Sequence, residues 1–361
     1  MKKIILLISL LPLSAIGDVI NSSPELQGIE QLMAGVGLAR IGSQGSMTAN
    51  PSLLAFLLKK QEFLSVNKLN IYKSEGSEVN TKTKTEVIPS YAVTTEGFGN
   101  WGHSYGLGVQ SYKLDYQFTV DDQATEGMSE REFITLGYGF GKKIDETSSW
   151  GASLILGRDS AESRGISSGK TGGLDYLVSG RYTTTAWVLG STLGASKIVG
   201  EYVFGLSAKL GLSTFGVSSQ QRQITHIEGQ GINTENTSNI PYVKVLPSAG
   251  LGVQRKFALS SLYLDVNYNP SYEDQDTSNK ALFTYGVGYE TLTFMPKIQF
   301  YSGLRYAPKV SQDQNAVGMV SSGFSKKGKH STSFFGLNWS RDLLKPTSEI
   351  IGIIFGTKFE Y

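Results

Sequence analysis

The sequence predicts an all-β chain: a transmembrane antiparallel β-barrel of about 14 strands, with a short N-terminal helical plug. Three observations carry that expectation. Segment after segment alternates apolar and polar residues with a period of two. The connections alternate between short and long. The chain stops in mid-strand on an aromatic residue.

The first element is a leader. In "MKKIILLISLLPLSAIGD", Lys2 and Lys3 precede an apolar core from Ile4 to Leu13, and Ala15 and Gly17 put small residues before a cut at Asp18. This is the pattern of a secretory signal peptide over residues 1–17, and its apolar core is too short to span a bilayer.

Residues 18–60 form the second element. Its most apolar run is "TANPSLLAFLLKK", residues 48–60. Asn50 suits a helix cap and Pro51 the first helical position, and Leu53, Leu54, Phe56, Leu57 and Leu58 follow. A short helix here, ahead of a β chain, reads as a plug entering the barrel from the periplasmic side, with Lys59 and Lys60 returning the chain to the rim.

Strands fill residues 61–361. They are expected at 62–73, 84–96, 103–114, 131–143, 148–159, 183–197, 201–215, 242–257, 260–271, 281–292, 296–307, 317–325, 330–341 and 348–361. In "REFITLGYGFGK", Ile134, Leu136, Tyr138 and Phe140 oppose Thr135, Gly137, Gly139 and Gly141. In "SSLYLDVNYN", Leu262, Leu264, Val266 and Tyr268 oppose Ser261, Tyr263, Asp265 and Asn267. In "PKIQFYSGLRY", Ile298, Phe300, Leu304 and Tyr306 oppose Lys297, Gln299, Tyr301, Gly303 and Arg305. Successive side chains of a strand point to opposite faces. A soluble sandwich turns the apolar face inward, and a membrane barrel turns it outward to lipid.

The connections decide between the two. "IDETS", "KIVG", "RKFALS" and "LTFM" are short, whereas "LDYQFTVDDQATEGMSE", "SAESRGISSGKTGGLDYLVSG" and "GVSSQQRQITHIEGQGINTENTSN" read as long polar loops. Short turns at one rim and long loops at the other are the habit of outer-membrane barrels, and an even count leaves both termini on the periplasmic side. The end, "EIIGIIFGTKFEY", sets Ile351, Ile353, Phe355, Phe359 and Tyr361 on one face. Aromatic residues near strand ends (Tyr72, Tyr91, Trp101, Tyr116, Trp150, Tyr182, Trp187, Tyr263, Tyr306 and Trp339) suit interfacial girdles.

Composition removes several functions. The chain has no cysteine, which excludes disulfides, thiolate catalysis and Cys-ligated metals. Loss of the leader removes two of its 33 basic residues and leaves 31 against 31 acidic ones, so nothing suggests capture of nucleic acid. "GISSG", residues 165–169, has the spacing of a serine-hydrolase elbow but lacks the strand before and helix after it. "GYGFGK" alternates glycine with aromatics on a strand and is no phosphate loop. His103, His226 and His330 are scattered, and the acidic stretches "VDDQATE" and "YEDQDTSN" match no calcium loop. No metal, cofactor or enzymatic activity is expected.

These residues resemble the FadL/TodX transporters of long-chain fatty acids and hydrocarbons in the Gram-negative outer membrane. "MAGVGLARIGSQGSMTANPSLLAF" is similar to that family's plug segment, with small residues around a glycine-rich patch and then Asn-Pro opening a helix; the family reads Asn-Pro-Ala where this chain has Asn50-Pro51-Ser52. "VIPSYAVTTE", "HSYGLGVQSY", "ITLGYGFGKKIDETSSWGASLILG", "VLPSAGLGVQRKFALSSLYLDVNYN" and "PKIQFYSGLRYAPKVS" resemble its strands in order. The resemblance implies passive transport. A hydrophobic or amphipathic ligand binds near the long loops and leaves sideways into the outer leaflet beside a kinked strand. Gly106 and Gly108 in the third strand are the candidates for that lateral opening. With apolar residues facing lipid, Asp265, Lys297, Arg305, Lys358 and Glu360 face inward, and Lys297, Arg305 and Asp265 are the candidate ligand-binding residues; pairing among these charges is the alternative. Expected partners are outer-membrane lipid, lipopolysaccharide and the hydrophobic ligand, with the chain acting as a monomer. Two other functions fit a barrel: a water-filled porin, and a structural or secretion-accessory barrel without small-molecule cargo.

Overall fold

The computed structural model describes residues 29–41, 46–57, 61–75, 79–96, 99–120, 123–171, 174–227, 230–234, 247–270, 272–274, 277–279, 282–292, 297–308, 317–342 and 348–360. The expected leader, Leu58 to Lys60 and Tyr361 lie outside these residues, as do the side chains of Tyr72, Tyr91 and Tyr116.

Period-two alternation builds one closed antiparallel sheet. Its strands are β1 (Gln61–Glu75), β2 (Val79–Glu96), β3 (Trp101–Val120), β4 (Gln123–Lys143), β5 (Ser148–Thr171), β6 (Leu174–Val199) and β7 (Tyr202–Ile227), then the short β8 (Gln230–Thr234), β9 (Ser248–Lys256) and β10 (Ser260–Asn269). The hairpin β11 (Tyr272–Asp274) and β12 (Thr277–Asn279) stands apart, and β13 (Leu282–Leu292), β14 (Ile298–Ala307), β15 (Val317–Lys327), β16 (Ser331–Asp342) and β17 (Ser348–Glu360) complete the sheet. Each barrel strand pairs with its neighbours, β17 pairs with β1, and β8 adds only to the outer part of β7, so among the described residues the ring has 14 strands. Among the described residues every ring strand has a partner on both sides, the closure needed for crossing a bilayer with strands. No described helix is long and apolar enough to cross one.

The exterior is apolar, as the alternation requires. On β4, Ile134, Leu136 and Tyr138 are exposed outward while Phe133, Thr135, Gly137 and Gly139 face the lumen. Leu154, Leu156, Leu193, Leu206, Leu264, Phe300, Leu304, Leu337, Ile351 and Phe355 continue the band around the barrel. From Lys142 to Glu132 on β4, it spans roughly 25 Å along the axis at the usual strand tilt. At the short-turn rim Trp101, Phe140 and Trp150 meet in a cluster of tilted and edge-on rings, with Lys142 over the Trp101 ring. At the far border Trp187 stacks on Phe215. Tyr263 and Tyr182 do not join these girdles: the pleat turns both into the lumen, and Tyr263 is fully buried.

The described residues of three of the long polar loops are strand instead. The ladder runs to Val120–Gln123 between β3 and β4, to Thr171–Leu174 between β5 and β6, and through Ile227 on β7. Beyond the apolar band neither face meets hydrocarbon, so the hydrophobic alternation fades while backbone pairing continues. GISSG accordingly sits on β5, where Ser167 accepts a hydrogen bond from Thr125 Oγ1 at 3.0 Å. β5, β6 and β7 reach 24, 26 and 26 residues, against 9–13 for the barrel strands from β9 to β17.

No register shift falls at Gly106 or Gly108 on β3. They pair in register with Ala92 and Ser90 on β2 and with Gly137 and Thr135 on β4, without a bulge. The register shifts lie elsewhere. β1 carries one extra residue between Val66 and Leu69 against both its neighbours. β7 carries two bulges opposite β6, at Gly211 (φ 84°) and Gly216 (φ 60°), where a left-handed backbone favours glycine.

Candidate functional site: the filled lumen

The N-terminal segment crosses the lumen in two legs. The first, residues 29–41, packs on β10 and β13–β16 and buries Leu32, Met33 and Val36 against Tyr263, Tyr301, Phe334 and Ile354. The second, residues 46–57, packs on β3–β6, and Leu53 joins Ala39 and Val203 in a second cluster. Leu32, Met33, Met47, Leu53 and Leu54 are fully buried. Each such side chain favours the docked state by about 1.5–3 kcal/mol relative to exposure.

Asn50 and Pro51 open a helix, as expected, but Pro51–Phe56 is 3-10 and Asn50 makes no side-chain cap. Its amide serves tertiary contacts instead: Nδ2 donates to Leu38 O at 2.8 Å, and Oδ1 accepts from Ser52 Oγ at 2.7 Å. The Asn50 amide therefore ties one leg to the other. Wall hydroxyls add tethers, with Ser149 Oγ donating to Ser52 O at 2.8 Å and Thr192 Oγ1 to Thr48 O at 3.4 Å.

Glycine makes this fit possible. A Cβ on Gly102 would lie 2.0 Å from Leu54 O, on Gly205 2.1 Å from Leu38 O, on Gly151 2.6 Å from Pro51 C, and on Gly303 2.3 Å from Met33 C. No side chain can occupy those points, so the plug backbone lies directly on the wall. Gly137, Gly139 and Gly141, the lumenal residues of GYGFG, receive Met47 and Ala55 in the same way.

Charge fixes the first leg. Arg40, nearly buried, pairs with Glu30 on its own leg at 2.8 Å and with Glu290 on β13 at 3.1 Å. Tyr263 donates to Glu290 at 2.5 Å. Asp265 Oδ2 on β10 accepts from Gly37 N at 2.7 Å and Leu38 N at 3.1 Å.

One row beyond the plug, on the side of the long strands, the lumenal faces of β4–β6 carry Phe133, Ala186 and Val188, all buried. Beside them Arg131 and Asp159 form a two-pronged ion pair, Nε to Oδ1 at 2.7 Å and Nη2 to Oδ2 at 2.5 Å. This wall combines an apolar surface with a neutralised charge pair.

The sequence-predicted site residues separate here. Leu53 and Leu54 pack as plug residues. Asp265 lines the lumen, but two plug amides occupy it. Lys297 is not on a strand: it is exposed in the turn before β14, at φ 71°, and its carbonyl accepts from Lys327 N at 2.8 Å. A turn residue in the left-handed region has left the strand, so the period of two no longer governs it. Arg305 lies half-buried on the lumenal face near the outer end of β14, opposite Gly286 and Met319. Eight residues of strand, about 26 Å, separate it from Lys297, so the two cannot hold one carboxylate. Lys358 and Glu360 face inward at the short-turn rim and pair at 2.5 Å. Sequence reasoning missed Arg40, Glu30, Glu290, Arg131 and Asp159. The available signal for Arg40 was a single charge within the small and apolar run "GVGLARIGS".

Among the described residues no group of His, Asp and Glu could hold a metal. No protein-family model matches the sequence, and no curated protein matches it. Solved structures match its fold. The CymD monoaromatic hydrocarbon channel superposes with TM-score 0.67 at 15% identity, covering 93% of this chain and 97% of that one. The toluene transporter TodX of Pseudomonas putida gives 0.65 at 13%, covering 93% and 98%. A FadL homologue of Pseudomonas aeruginosa gives 0.66 at 11%, covering 94% and 99%. The chain has the fold of FadL/TodX-type transporters, a barrel filled by its own N-terminal segment.

Proposed function

We propose that this protein carries hydrophobic or amphipathic small molecules passively across the Gram-negative outer membrane, with its short turns in the periplasm and its long strands outward. The observation that carries the reading is the filled lumen: an apolar plug seated on wall glycines leaves the barrel suited to a guest that partitions into apolar surface. The hydrocarbon channels of the same fold support the cargo class. With the plug legs lying across the lumen, we place the exit sideways through the wall. The register shifts of β1 make it a better candidate for that opening than the unbroken β3 at Gly106 and Gly108. Fatty acids and monoaromatic hydrocarbons are the two cargoes to compare.

Uptake and conductance of the purified full-length protein test the reading. Liposomes containing it should take up a labelled long-chain carboxylate or toluene faster than empty ones, and planar bilayers should show no steady current. Deleting residues 18–58 should leave a heat-modifiable barrel that conducts. Steady current through the intact protein would replace this reading by a porin. Failure to bind either cargo, with a protein co-purifying, would favour a secretion-accessory barrel.

A further inference from the structure

The tall part of the wall carries a feature that transport does not use. Arg164 on β5 pairs directly opposite Arg181 on β6, and Arg181 directly opposite Arg222 on β7. All three are exposed, and Arg164 and Arg181 share the exterior parity of Leu154, Leu156 and Leu177. Three arginines thus stand in one row on adjacent strands, their backbones about 5 Å apart. Like charges directly opposite one another destabilise a sheet, so such a row calls for anions. Glu162, on the same face, supplies one carboxylate for two of the arginines: it binds Arg164 Nε, and Arg181 Nε at 2.8 Å. A fourth cation, Arg158, is exposed nearer the membrane, opposite Ile134 and Trp187. The exposed acids Glu126, Glu130 and Glu132 lie on β4; Glu130 pairs with Lys113 at 3.3 Å, stands directly opposite Glu162 and also acts on Arg164, so the arginine surface of β5–β7 is bordered by acids on its β4 side.

Its height selects the partner. On β5 the exterior runs Leu154, Leu156, Arg158, Ser160, Glu162 and Arg164. The row therefore begins at the border of the apolar band and ends about 15 Å above it, at the strand rise and tilt of such barrels. A ligand spanning that interval is anchored in the bilayer and carries anions on a sugar headgroup. Guanidinium groups bind phosphate in a fork.

We propose that Arg158, Arg164, Arg181 and Arg222 form a binding face for the phosphorylated headgroup of an outer-leaflet glycolipid. The proposal rests on the outward placement of the long strands given above.

The test titrates the purified full-length protein in detergent with a rough lipopolysaccharide bearing phosphorylated core sugars, and with the same lipid after dephosphorylation. Dephosphorylation should weaken binding at least tenfold. The triple substitution Arg164→Gln, Arg181→Gln and Arg222→Gln should lose a similar factor, while Arg255→Gln at the short-turn rim should bind as the parent does. Inorganic phosphate at equal concentration should not compete. Equal affinity for the two lipids would overturn the proposal, as would full competition by inorganic phosphate or parental binding by the triple variant. The comparison of lipids on the unaltered protein decides the matter even if the triple variant does not fold. Heat-modifiable mobility on a gel checks the membrane-barrel reading separately, because it does not depend on phosphate.

Discussion

Asn50 donates its side-chain amide to the carbonyl of Leu38, 2.8 Å away, and so joins the two legs that fill the lumen. Asn50→Ala strips a partner from that buried carbonyl and from the Ser52 hydroxyl. An unsatisfied buried group costs about 1–3 kcal/mol. The expected outcome is a barrel of normal heat-modifiable mobility with intermittent current in planar bilayers.

Gly102→Val should displace the second leg altogether, since its Cβ alone would meet Leu54 O at 2.0 Å. Conductance should approach that of the plug deletion. A matching substitution at Gly328, in an exposed short turn, should leave the bilayer silent.

Arg40→Met leaves Glu30 and Glu290 facing one another without their shared cation. Breaking a buried pair by removing one partner costs about 3–5 kcal/mol, and removing the orphaned charge as well recovers much of it. Protease accessibility of the N-terminal segment should rise sharply in Arg40→Met and fall back when Glu30→Gln and Glu290→Gln are added.

Asp145, in the turn between β4 and β5, accepts hydrogen bonds from the backbone and side chains of Thr147 and Ser148. Those bonds, led by the Thr147 hydroxyl, hold its carboxyl well below the usual range. A depressed folded pKa gives stability that is complete above the unfolded value of about 3.9 and is lost as pH falls toward the folded one. Asp145→Asn should therefore lower the thermal midpoint slightly at pH 7, and the difference from the parent should shrink in strong acid.

Arg305→Ala tests the one predicted ligand-binding cation that the structure keeps in the lumen. Affinity for a carboxylated cargo should fall several-fold, with affinity for toluene unchanged. Equal affinity for both cargoes before and after the substitution would remove Arg305 from the binding site.

Strand positions were legible in the sequence because the alternation of β4, β10 and β17 reports which face meets hydrocarbon. Strand lengths were not. Past Glu132 and Arg158 both faces of the sheet are polar, and a ladder of backbone bonds leaves no trace in side-chain periodicity. The plug was legible from Pro51, Leu53 and Leu54, a greasy turn with no room in a strand. Its fastenings were not. Asp265 read as a lumenal charge facing a ligand and Glu290 went unnoticed, whereas they hold Gly37, Leu38 and Arg40, residues 227 to 250 positions away in the chain. Lys297 failed because a rule for strands was applied one residue beyond a strand. The glycines were read as ordinary barrel residues or as a kink, and their use shows only when Leu54, Leu38 and Met33 are set against them.

The hydrogen bond from Ala34 N to Ser321 Oγ spans 287 residues. The segment made first must therefore wait for β15, nearly the last strand, before its seat exists. Contacts so distant in the chain form slowly, because a large loop closes before they contribute. During refolding into bilayers, barrel closure should precede occlusion. A dye trapped in the vesicles would then escape in a burst that ends as the N-terminal legs settle, and in Gly102→Val the leak would persist.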